Sequence, residues 1–288
     1  MIEAHIKRTV RLKRGCRICL LGLLTMTAST FGEMQAEPGT SRFEIGPEIF
    51  RYDYEEPDLM TLKGTMVGID ARWVWTGPRV RTTGQRDALL FGVHGRYAVG
   101  EADYDGQLLD EANTPYQVRG IDSTSYELRL LAGYAPQLTD ERHTSVWIGF
   151  GYRFKDDDSS FDPAGYLRES TYRYFPIIVQ HQWTTGDRHR WVMQVEYDLF
   201  ISGDHVTDLS SIGGPRLSKA QNSGYGVRAS LGWIGQSERF EWIVEPFVRY
   251  WDIKDSEVVR VTDGRQRFEF FEPANQTWEI GLGGRLIF

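Results

Sequence analysis

The sequence predicts an all-β fold, a transmembrane, antiparallel, up-and-down β-barrel of about ten strands. The last twelve residues, TWEIGLGGRLIF, place an apolar side chain or Gly at every second position. A period of two is typical of a strand with one apolar face, and a tilted strand crosses a bilayer with about 9–11 residues. The composition agrees with this, because 13% of the residues are aromatic while 25% are charged. Barrel strands, which are apolar on one face only, combine these two properties.

The first 36 residues differ in composition from the rest. Six basic residues between Lys7 and Arg17 precede an apolar run, residues 18–26, and then a stretch of small residues. This order predicts a secretory signal peptide, residues 1–36, cleaved after Ala36, followed by a barrel domain over residues 37–288. Cleavage nearer Ser29 or Gly32 is the alternative. The apolar run is shorter than the roughly 20 residues of a membrane-spanning helix, so we do not expect a retained anchor.

Cysteine content and net charge argue against thiol chemistry and against nucleic-acid binding. Both cysteines, Cys16 and Cys19, lie in the leader, so the exported chain is predicted to have neither disulfides nor thiol chemistry. Without the leader the chain has 27 basic and 38 acidic residues, a net charge of about −11. Because nucleic-acid-binding proteins present basic surfaces, we expect no nucleic-acid partner.

Ten segments alternate between apolar and polar residues, as half-apolar strands do. They are residues 42–54, 65–75, 88–100, 126–135, 146–155, 171–183, 191–201, 225–234, 240–252 and 277–288. Segment 171–183 is the least regular, because both of its faces are mixed. Segments 76–87 and 101–123 are interpreted as polar connections. Short connections are expected after the even-numbered strands and long ones after the odd-numbered strands.

The aromatic residues of the apolar faces sort into two levels of the predicted barrel. One level contains Phe43, Trp75, Trp183, Trp191, Trp233, Trp242 and Phe288, and the other contains Tyr97, Tyr126, Tyr197, Tyr225, Tyr250 and Trp278. Amphipathic rings favour the two headgroup layers of a bilayer, so two belts are expected of a spanning barrel. A soluble β-sandwich or lipocalin-like barrel, the rival fold, gives no reason for this sorting.

The opposite face of each strand is predicted to line the lumen. Its charged residues are Lys155 together with Glu44, Glu48, Asp70, Arg72, His94, Arg96, Glu127, Arg129, Arg153, Glu196, Asp198, Arg228, Glu245, Arg249, Glu279 and Arg285. Both signs are interspersed, and unpaired buried charges are costly, so a paired network is expected. Eight strands give an interior just filled by side chains. About ten strands therefore predict no wide diffusion pore, although a narrow path remains an alternative.

In its strand pattern and its final residue, Phe288, the chain resembles the small outer-membrane β-barrels of Gram-negative bacteria, whose last strand typically ends in Phe. The likeness is to porin-like and OmpA-like barrels in general. It implies an outer-membrane location with the N-terminus in the periplasm and the long loops outside. It also implies contact with outer-membrane lipid and lipopolysaccharide, and handling by periplasmic chaperones and the barrel-assembly machinery, for which Phe288 would be the C-terminal signal.

The function predicted from these features is non-enzymatic and uses no cofactor. The expected roles are adhesion or contact with a ligand at the cell surface, envelope integrity, or a narrow porin-like channel. The sequence predicts an extracellular ligand without indicating which one.

One enzymatic alternative follows from the strand count. Omptins are ten-stranded outer-membrane proteases whose site at the extracellular mouth pairs two aspartates with an Asp–His couple. The chain resembles them in placing Asp103 and Asp105 after the third strand and Asp204 and His205 after the seventh. It departs from the family because Asp204 and His205 are adjacent, so strand alternation turns them apart, and because the Trp that flanks the omptin aspartates is missing beside Asp105.

The remaining cluster is the acidic run Asp156, Asp157 and Asp158, with Asp162 shortly after it. Clustered carboxylates suit Ca²⁺, which takes six to eight oxygen ligands. These residues lack the spacing of a dedicated calcium loop, and a solvated acidic surface is the competing interpretation. The sequence shows no phosphate-binding loop, nucleophile elbow or His/Cys metal pattern.

Overall fold

The computed structural model describes residues 39–82, 85–107, 114–136, 142–185, 189–263 and 266–288. The predicted leader, residues 1–36, lies outside the described residues. The strands are, in chain order, β1 (Ser41–Glu56), β2 (Met60–Thr82), β3 (Gln85–Gln107), β4 (Pro115–Ala135), β5 (Arg142–Asp158), β6 (Leu167–Thr185), β7 (His189–Asp208), β8 (Arg216–Gln221), β9 (Gly224–Gln236), β10 (Glu241–Ile253), β11 (Val259–Asp263), β12 (Gln266–Phe270) and β13 (Asn275–Ile287).

Ten of these strands close into one antiparallel barrel. β1 to β6 pair in sequence, β7 pairs with β9, β9 with β10, and β10 with β13. β13 returns to pair with β1, and β6 pairs with β7, so the sheet has no free edge around the wall. This confirms the predicted all-β fold and the count of ten strands. Within the part of the chain that the structure describes, no helix has the length and apolarity to cross a bilayer.

The outer face of the wall carries the apolar side chains. Ile49, Val67, Ile69, Leu130 and Ile280 each leave more than half of their surface exposed. Their neighbours along each strand point into the barrel, because successive strand side chains point to opposite faces. The outer surface of the barrel therefore has an apolar band around its circumference, unlike the surface of a soluble protein.

Aromatic rings border this band on both sides, in contact from strand to strand. At one end the ring centroids of Trp191 and Trp233 lie 6.4 Å apart, and those of Trp233 and Trp242 lie 4.8 Å apart. At the other end Tyr225 and Tyr250 lie 6.1 Å apart, and Tyr250 and Trp278 lie 4.5 Å apart. We call these rows the tryptophan belt and the tyrosine belt.

Several strands are longer than the sequence analysis predicted. The acidic segment 101–123 was predicted to be a connection, but β3 continues to Gln107 and β4 already begins at Pro115. Likewise the polar segment 76–87 is mostly a continuation of the β2–β3 hairpin. For segment 101–123 the reason is that, beyond the tyrosine belt, the apolar residues lie on the inward face of the strands and the polar residues on the outward face. There Leu62 and Met66 face inward while Lys63 is exposed, so a search for outward apolar residues ends too early.

The connections also correct the predicted rule. The first strand was expected to be followed by a long loop, yet only residues 57–59 separate β1 from β2, with Asp58 at a positive φ of 63°. The two longest connections, by contrast, contain strands of their own. β8 adds to the extended end of β7, and β11 pairs with β12. Both lie on the side of the tyrosine belt.

The interior is layered along the barrel axis. Near the tryptophan belt it holds two apolar clusters, one around Trp147 and Ile178 and one around Ile234 and Ile243. Near the tyrosine belt it holds one larger cluster, around Phe50 and Met66, and one in which Tyr172, Tyr174, Trp251 and Ile253 pack together. The charged residues lie between these apolar layers, which exclude water from them.

Candidate functional site in the lumen

All seventeen charged residues expected to line the lumen lie inside the barrel. Lys155 pairs with Asp157 on its own strand, and the other sixteen form a set of their own. Fifteen of them leave less than a tenth of their surface exposed, and the side chain of Arg72 is 19% exposed. Every one of them contacts another member, and the contacts join into a single connected set. We call this set the central network.

Arg285 organises the part nearest the tryptophan belt. Its Nε lies 2.9 Å from Glu44 Oε2, and its Nη2 lies 3.0 Å from Glu245 Oε2. Arg72 shares Glu245 with Arg285, with Nη2 2.9 Å from Glu245 Oε1, and its Nε lies 3.0 Å from Asp70 Oδ1. β13, β1, β10 and β2 supply these side chains, so the group bridges the place where the sheet closes on itself.

The middle part alternates two arginines with two glutamates. Arg96 donates to Glu48 Oε1 at 2.9 Å and to Glu279 Oε2 at 3.1 Å. Arg249 donates to the same two residues, at 3.0 Å each. Arg153 completes the group, with Nη2 2.7 Å from Glu279 Oε1.

The third part lies against β7 and β9. Arg228 contacts Glu127 through two nitrogens and Asp198 Oδ2 through Nε at 2.7 Å. Arg129 donates to both oxygens of Glu196, at 2.7 and 2.8 Å. Two residues connect this part to the rest of the network. Glu127 also accepts from Arg96, and His94 lies between Asp70 and Arg129.

Charge in the central network is nearly balanced. Eight carboxylates face seven guanidinium groups and the imidazole of His94. Each arginine has at least one carboxylate within hydrogen-bonding distance, which is what makes burial of so many charges tolerable. The network therefore has little net charge, and its side chains are buried between the apolar layers.

A second charged group lies beyond the tyrosine belt, and the sequence analysis did not find it. Arg168 Nη2 lies 2.6 Å from Glu272 Oε1 and also contacts Glu56, to which Tyr54 donates at 2.9 Å. Lys219 Nζ lies 2.9 Å from Glu272 Oε2. We call Tyr54, Glu56, Arg168, His205, Lys219 and Glu272 the chamber. One sequence signal could have identified the chamber. Beyond the tyrosine belt the apolar residues of the strands alternate onto the inward face, and these polar residues share that face with them.

Burial and ion pairing shift the acidity of the chamber. Burial raises the pKa of Glu272, but Arg168, His205 and Lys219 outweigh it and hold the pKa at about 2. Burial lowers the pKa of His205 to about 3; Glu272 acts in the opposite direction, while Arg168 and Lys219 lower it further. At neutral pH the chamber therefore holds an ionised Glu272 beside an uncharged His205.

The residues of the omptin comparison do not converge. Asp103 and Asp105 lie on the outside of the wall, where both pair with Arg119 at 3.7 and 2.9 Å. Asp204 also faces outward and pairs with Arg173 at 2.9 Å. His205, the next residue, points into the barrel and is 2% exposed. The imidazole thus lies inside the wall, while all three aspartates lie outside it.

The four aspartates considered for calcium are also apart. Asp156 accepts from the Thr124 backbone at 3.0 Å, and Asp157, which faces the other side of β5, accepts from Ser123 at 2.5 Å. Asp158 and Asp162 cap the turn that follows, accepting from the backbone nitrogens of Ser160 and Ala164. No three His, Cys, Asp or Glu side chains in the described ranges are placed to hold a metal ion. Strand alternation turns Asp157 away from Asp156, and Asp158 and Asp162 bind the backbone of the following turn, so the four carboxylates considered for calcium do not form one cluster.

Phe288 closes the wall at the tryptophan belt. Its backbone nitrogen donates to Phe43 at 2.8 Å and its carbonyl accepts from Phe43 at 3.0 Å. The two rings lie 6.4 Å apart on the outer face. The terminal residue is therefore both the last rung of the β1–β13 ladder and part of the outward aromatic surface.

No protein-family model matches the sequence, and no curated protein matches it. Solved structures do resemble it. The outer membrane protease OmpT from Escherichia coli is 7% identical, with 86% of this chain and 96% of that chain covered at a TM-score of 0.51. The translocator domain of the autotransporter NalP from Neisseria meningitidis is 10% identical, with 86% and 88% covered at 0.41. Ail, the attachment invasion locus protein of Yersinia pestis, is 11% identical, with 86% and 99% covered at 0.27.

Of these three scores only the first exceeds 0.5, and at 7% identity it establishes a shared fold and nothing about activity. The chain thus has the closed, antiparallel, ten-stranded fold of outer-membrane β-barrels. Its lumen contains buried, paired charges, and a separate polar chamber adjoins the tyrosine belt.

Proposed function

We propose that this protein spans the outer membrane as a barrel with a sealed lumen and works on the extracellular side, where its chamber and longest connections contact a ligand. The observation that carries the proposal is the central network. Sixteen charged side chains from all around the wall meet in the interior, and fifteen are nearly inaccessible to water. A lumen that side chains fill is expected of small barrels, whereas wide aqueous channels belong to barrels of 16–18 strands.

The lengths of the connections support the proposed orientation. Barrels of this kind have short turns on the periplasmic side and longer loops outside. The connections that contain β8 and the β11–β12 hairpin both lie beyond the tyrosine belt. We therefore assign the tyrosine belt to the outer leaflet, in contact with lipopolysaccharide, and the tryptophan belt and Phe288 to the periplasmic side. Phe288 is proposed as the signal for the barrel-assembly machinery, which receives the chain from periplasmic chaperones.

A role in ligand contact is favoured over a pore and over omptin-type proteolysis. The network is nearly neutral, which gives little charge selectivity, and fifteen of its sixteen side chains are nearly inaccessible to water. Proteolysis by Asp103, Asp105, Asp204 and His205 is not proposed, because the imidazole lies inside the wall and the carboxylates outside it.

The test is single-channel recording on the refolded chain in a planar bilayer. We expect no discrete conductance steps from protein whose folding is verified by heat-modifiable gel mobility. As a matched positive control, Arg96→Ala and Arg249→Ala together remove two of the cations that surround Glu48 and Glu279, and they are expected to admit small currents. Reproducible steps from the unmodified barrel would contradict a sealed lumen and favour the narrow channel instead.

A further inference from the structure

Cross-strand register places one serine between two basic side chains just beyond the tyrosine belt. Ser170 on β6 lies opposite Lys155 on β5 and opposite His205 on β7. The Ser170 hydroxyl oxygen is 3.0 Å from His205 Nδ1. Because burial keeps the imidazole uncharged at neutral pH, one of its ring nitrogens is free to accept this hydroxyl proton.

The other ring nitrogen faces a carboxylate. His205 Nε2 lies 3.2 Å from Glu272 Oε2, close enough for an ion pair but not aligned as a hydrogen bond. Such contacts are often imperfectly aligned before substrate binds. Arg168 and Lys219 fix Glu272 in place. With the proton on Nε2, toward Glu272, the lone pair of Nδ1 is directed at Ser170.

A cavity borders this serine and contains a free cationic donor. Ser170, His205, Lys155, Arg153 and Tyr52 are among its lining residues. Arg153 is 4% exposed, and its Nη1 has no hydrogen-bond partner among the described residues, although its Nη2 is bound to Glu279. The cavity measures about 20 Å³, room for roughly one or two water-sized groups. It therefore suits a short acyl group rather than a fatty chain.

We propose that Ser170 is a catalytic nucleophile, with His205 as its base and Glu272 as the residue that positions His205, and that the site hydrolyses carboxylic esters with short acyl groups such as acetyl. This activity goes beyond the proposed surface role and does not depend on it. A nucleophile within hydrogen-bonding distance of a base, which a third group orients, is the arrangement on which covalent acyl transfer relies.

The reaction follows from these positions. Ser170 Oγ bonds to the ester carbonyl carbon while its proton passes to His205 Nδ1, and the carbonyl oxygen takes negative charge, which Arg153 Nη1 is available to stabilise. Collapse of this adduct breaks the bond to the alcohol oxygen, and the alcohol leaves with the proton from His205. Water then attacks the acyl-serine with the same proton transfer, releasing the carboxylic acid and restoring the Ser170 hydroxyl.

The test uses the full barrel refolded in detergent micelles, treated with a fluorescent fluorophosphonate and separately with p-nitrophenyl acetate. We expect the fluorophosphonate to attach to Ser170, as located by peptide mass spectrometry. Ser170→Ala is expected to abolish the label and to lower hydrolysis about 100-fold or more. Ser125→Ala removes another inward hydroxyl, on β4, and is expected to retain both. Heat-modifiable mobility verifies that each variant is folded.

Two further variants separate positioning from a structural role. Glu272→Asp keeps a carboxylate and is expected to retain labelling, while folded Glu272→Gln is expected to label more than tenfold more slowly. The labelling rate of the wild-type barrel is expected to stay constant between pH 5 and 8, because His205 remains uncharged across that range. Absence of label on folded wild-type protein, or labelling that persists in Ser170→Ala, would overturn the proposal and leave the sealed-lumen proposal standing.

Discussion

Glu127 on β4 and Arg228 on β9 form a two-point ion pair, at 2.9 and 2.5 Å, although their strands are not neighbours in the sheet. Glu127 also accepts from Arg96 on β3 at 3.1 Å. The carboxylate of Glu127 therefore links β4 to β9 and to β3 through the interior. The backbone ladder holds each strand to its two neighbours only, so contacts of this kind are what fix the cross-section of the barrel.

The first prediction concerns this carboxylate. Glu127→Ala leaves Arg228 and Arg96 with one fewer buried partner, and breaking a buried pair costs about 3–5 kcal/mol. We expect the free energy of unfolding to fall by that amount in urea titrations of the barrel in lipid vesicles, followed by tryptophan fluorescence. Glu101→Ala removes an exposed carboxylate on the outside of β3 and is expected to change the same quantity by less than about 0.5 kcal/mol. Equal effects from both variants would contradict a stabilising role for the network.

The central network shows what alternation alone can predict. A period of two assigns Glu127 and Arg228 to the lumen with no knowledge of the fold. It does not say that they touch, because that depends on how far each strand is staggered against the next when the sheet closes. The sequence therefore predicts the members of the network and the need for pairing, while the partners follow only from the register of the closed barrel.

The chamber shows where the same reasoning fails. The sequence pairs His205 with its chain neighbour Asp204, but successive side chains of a strand point to opposite faces, so the two lie on opposite sides of the wall. Its structural partners are Ser170 and Glu272, which are 35 and 67 positions away and lie on β6 and in the connection before β13. No periodicity relates a loop residue such as Glu272 to a strand, so only the three-dimensional path of that connection places it in the chamber.

The second prediction concerns the apolar band. Leu130 on β4 is 55% exposed in the middle of the outer face. In a membrane, Leu130→Arg should lower the free energy of unfolding by about 2–4 kcal/mol, the cost of Arg at the bilayer midplane. Gln117→Arg, on the same strand but beyond the tyrosine belt, meets water and should change it by less than about 1 kcal/mol. The comparison is made by urea unfolding in lipid vesicles, and a similar cost for both would argue against lipid around this band.

The third prediction concerns Phe288. Phe288→Ala retains the backbone hydrogen bonds to Phe43, so a chain refolded directly into vesicles should reach nearly the wild-type yield. In cells we expect folded protein in the outer membrane to decrease at least severalfold, because the proposed assembly signal is lost. Leu286→Ala truncates another outward side chain of β13 and serves as the control. A normal cellular level of folded Phe288→Ala protein would contradict a signalling role.

The fourth prediction is that acid destabilises the chamber over a defined pH range. The pKa of His205 is lowered from 6.5 to about 3, chiefly by burial. The unfolded chain therefore binds a proton below pH 6.5 that the folded chain does not, and the resulting stability is fully present above 6.5 and is lost progressively as the pH falls toward 3. Glu272 acts in the same direction at lower pH, since its pKa is lowered from 4.5 to about 2.

Between pH 4.5 and 6.5 the contribution of His205 is the difference between the wild type and a variant without the imidazole, because burial also raises the pKa of Glu56, in the same chamber, above its usual 4.5. There the free energy of unfolding of the wild-type barrel should decrease with falling pH by up to about 1.4 kcal/mol per unit for this one proton. His205→Gln retains a polar side chain that does not titrate, so its unfolding free energy should change less steeply with pH by that amount. If His205→Gln and the wild type have the same slope, the imidazole is not held uncharged by burial, and the acid–base state on which the Ser170 site depends would be wrong as well.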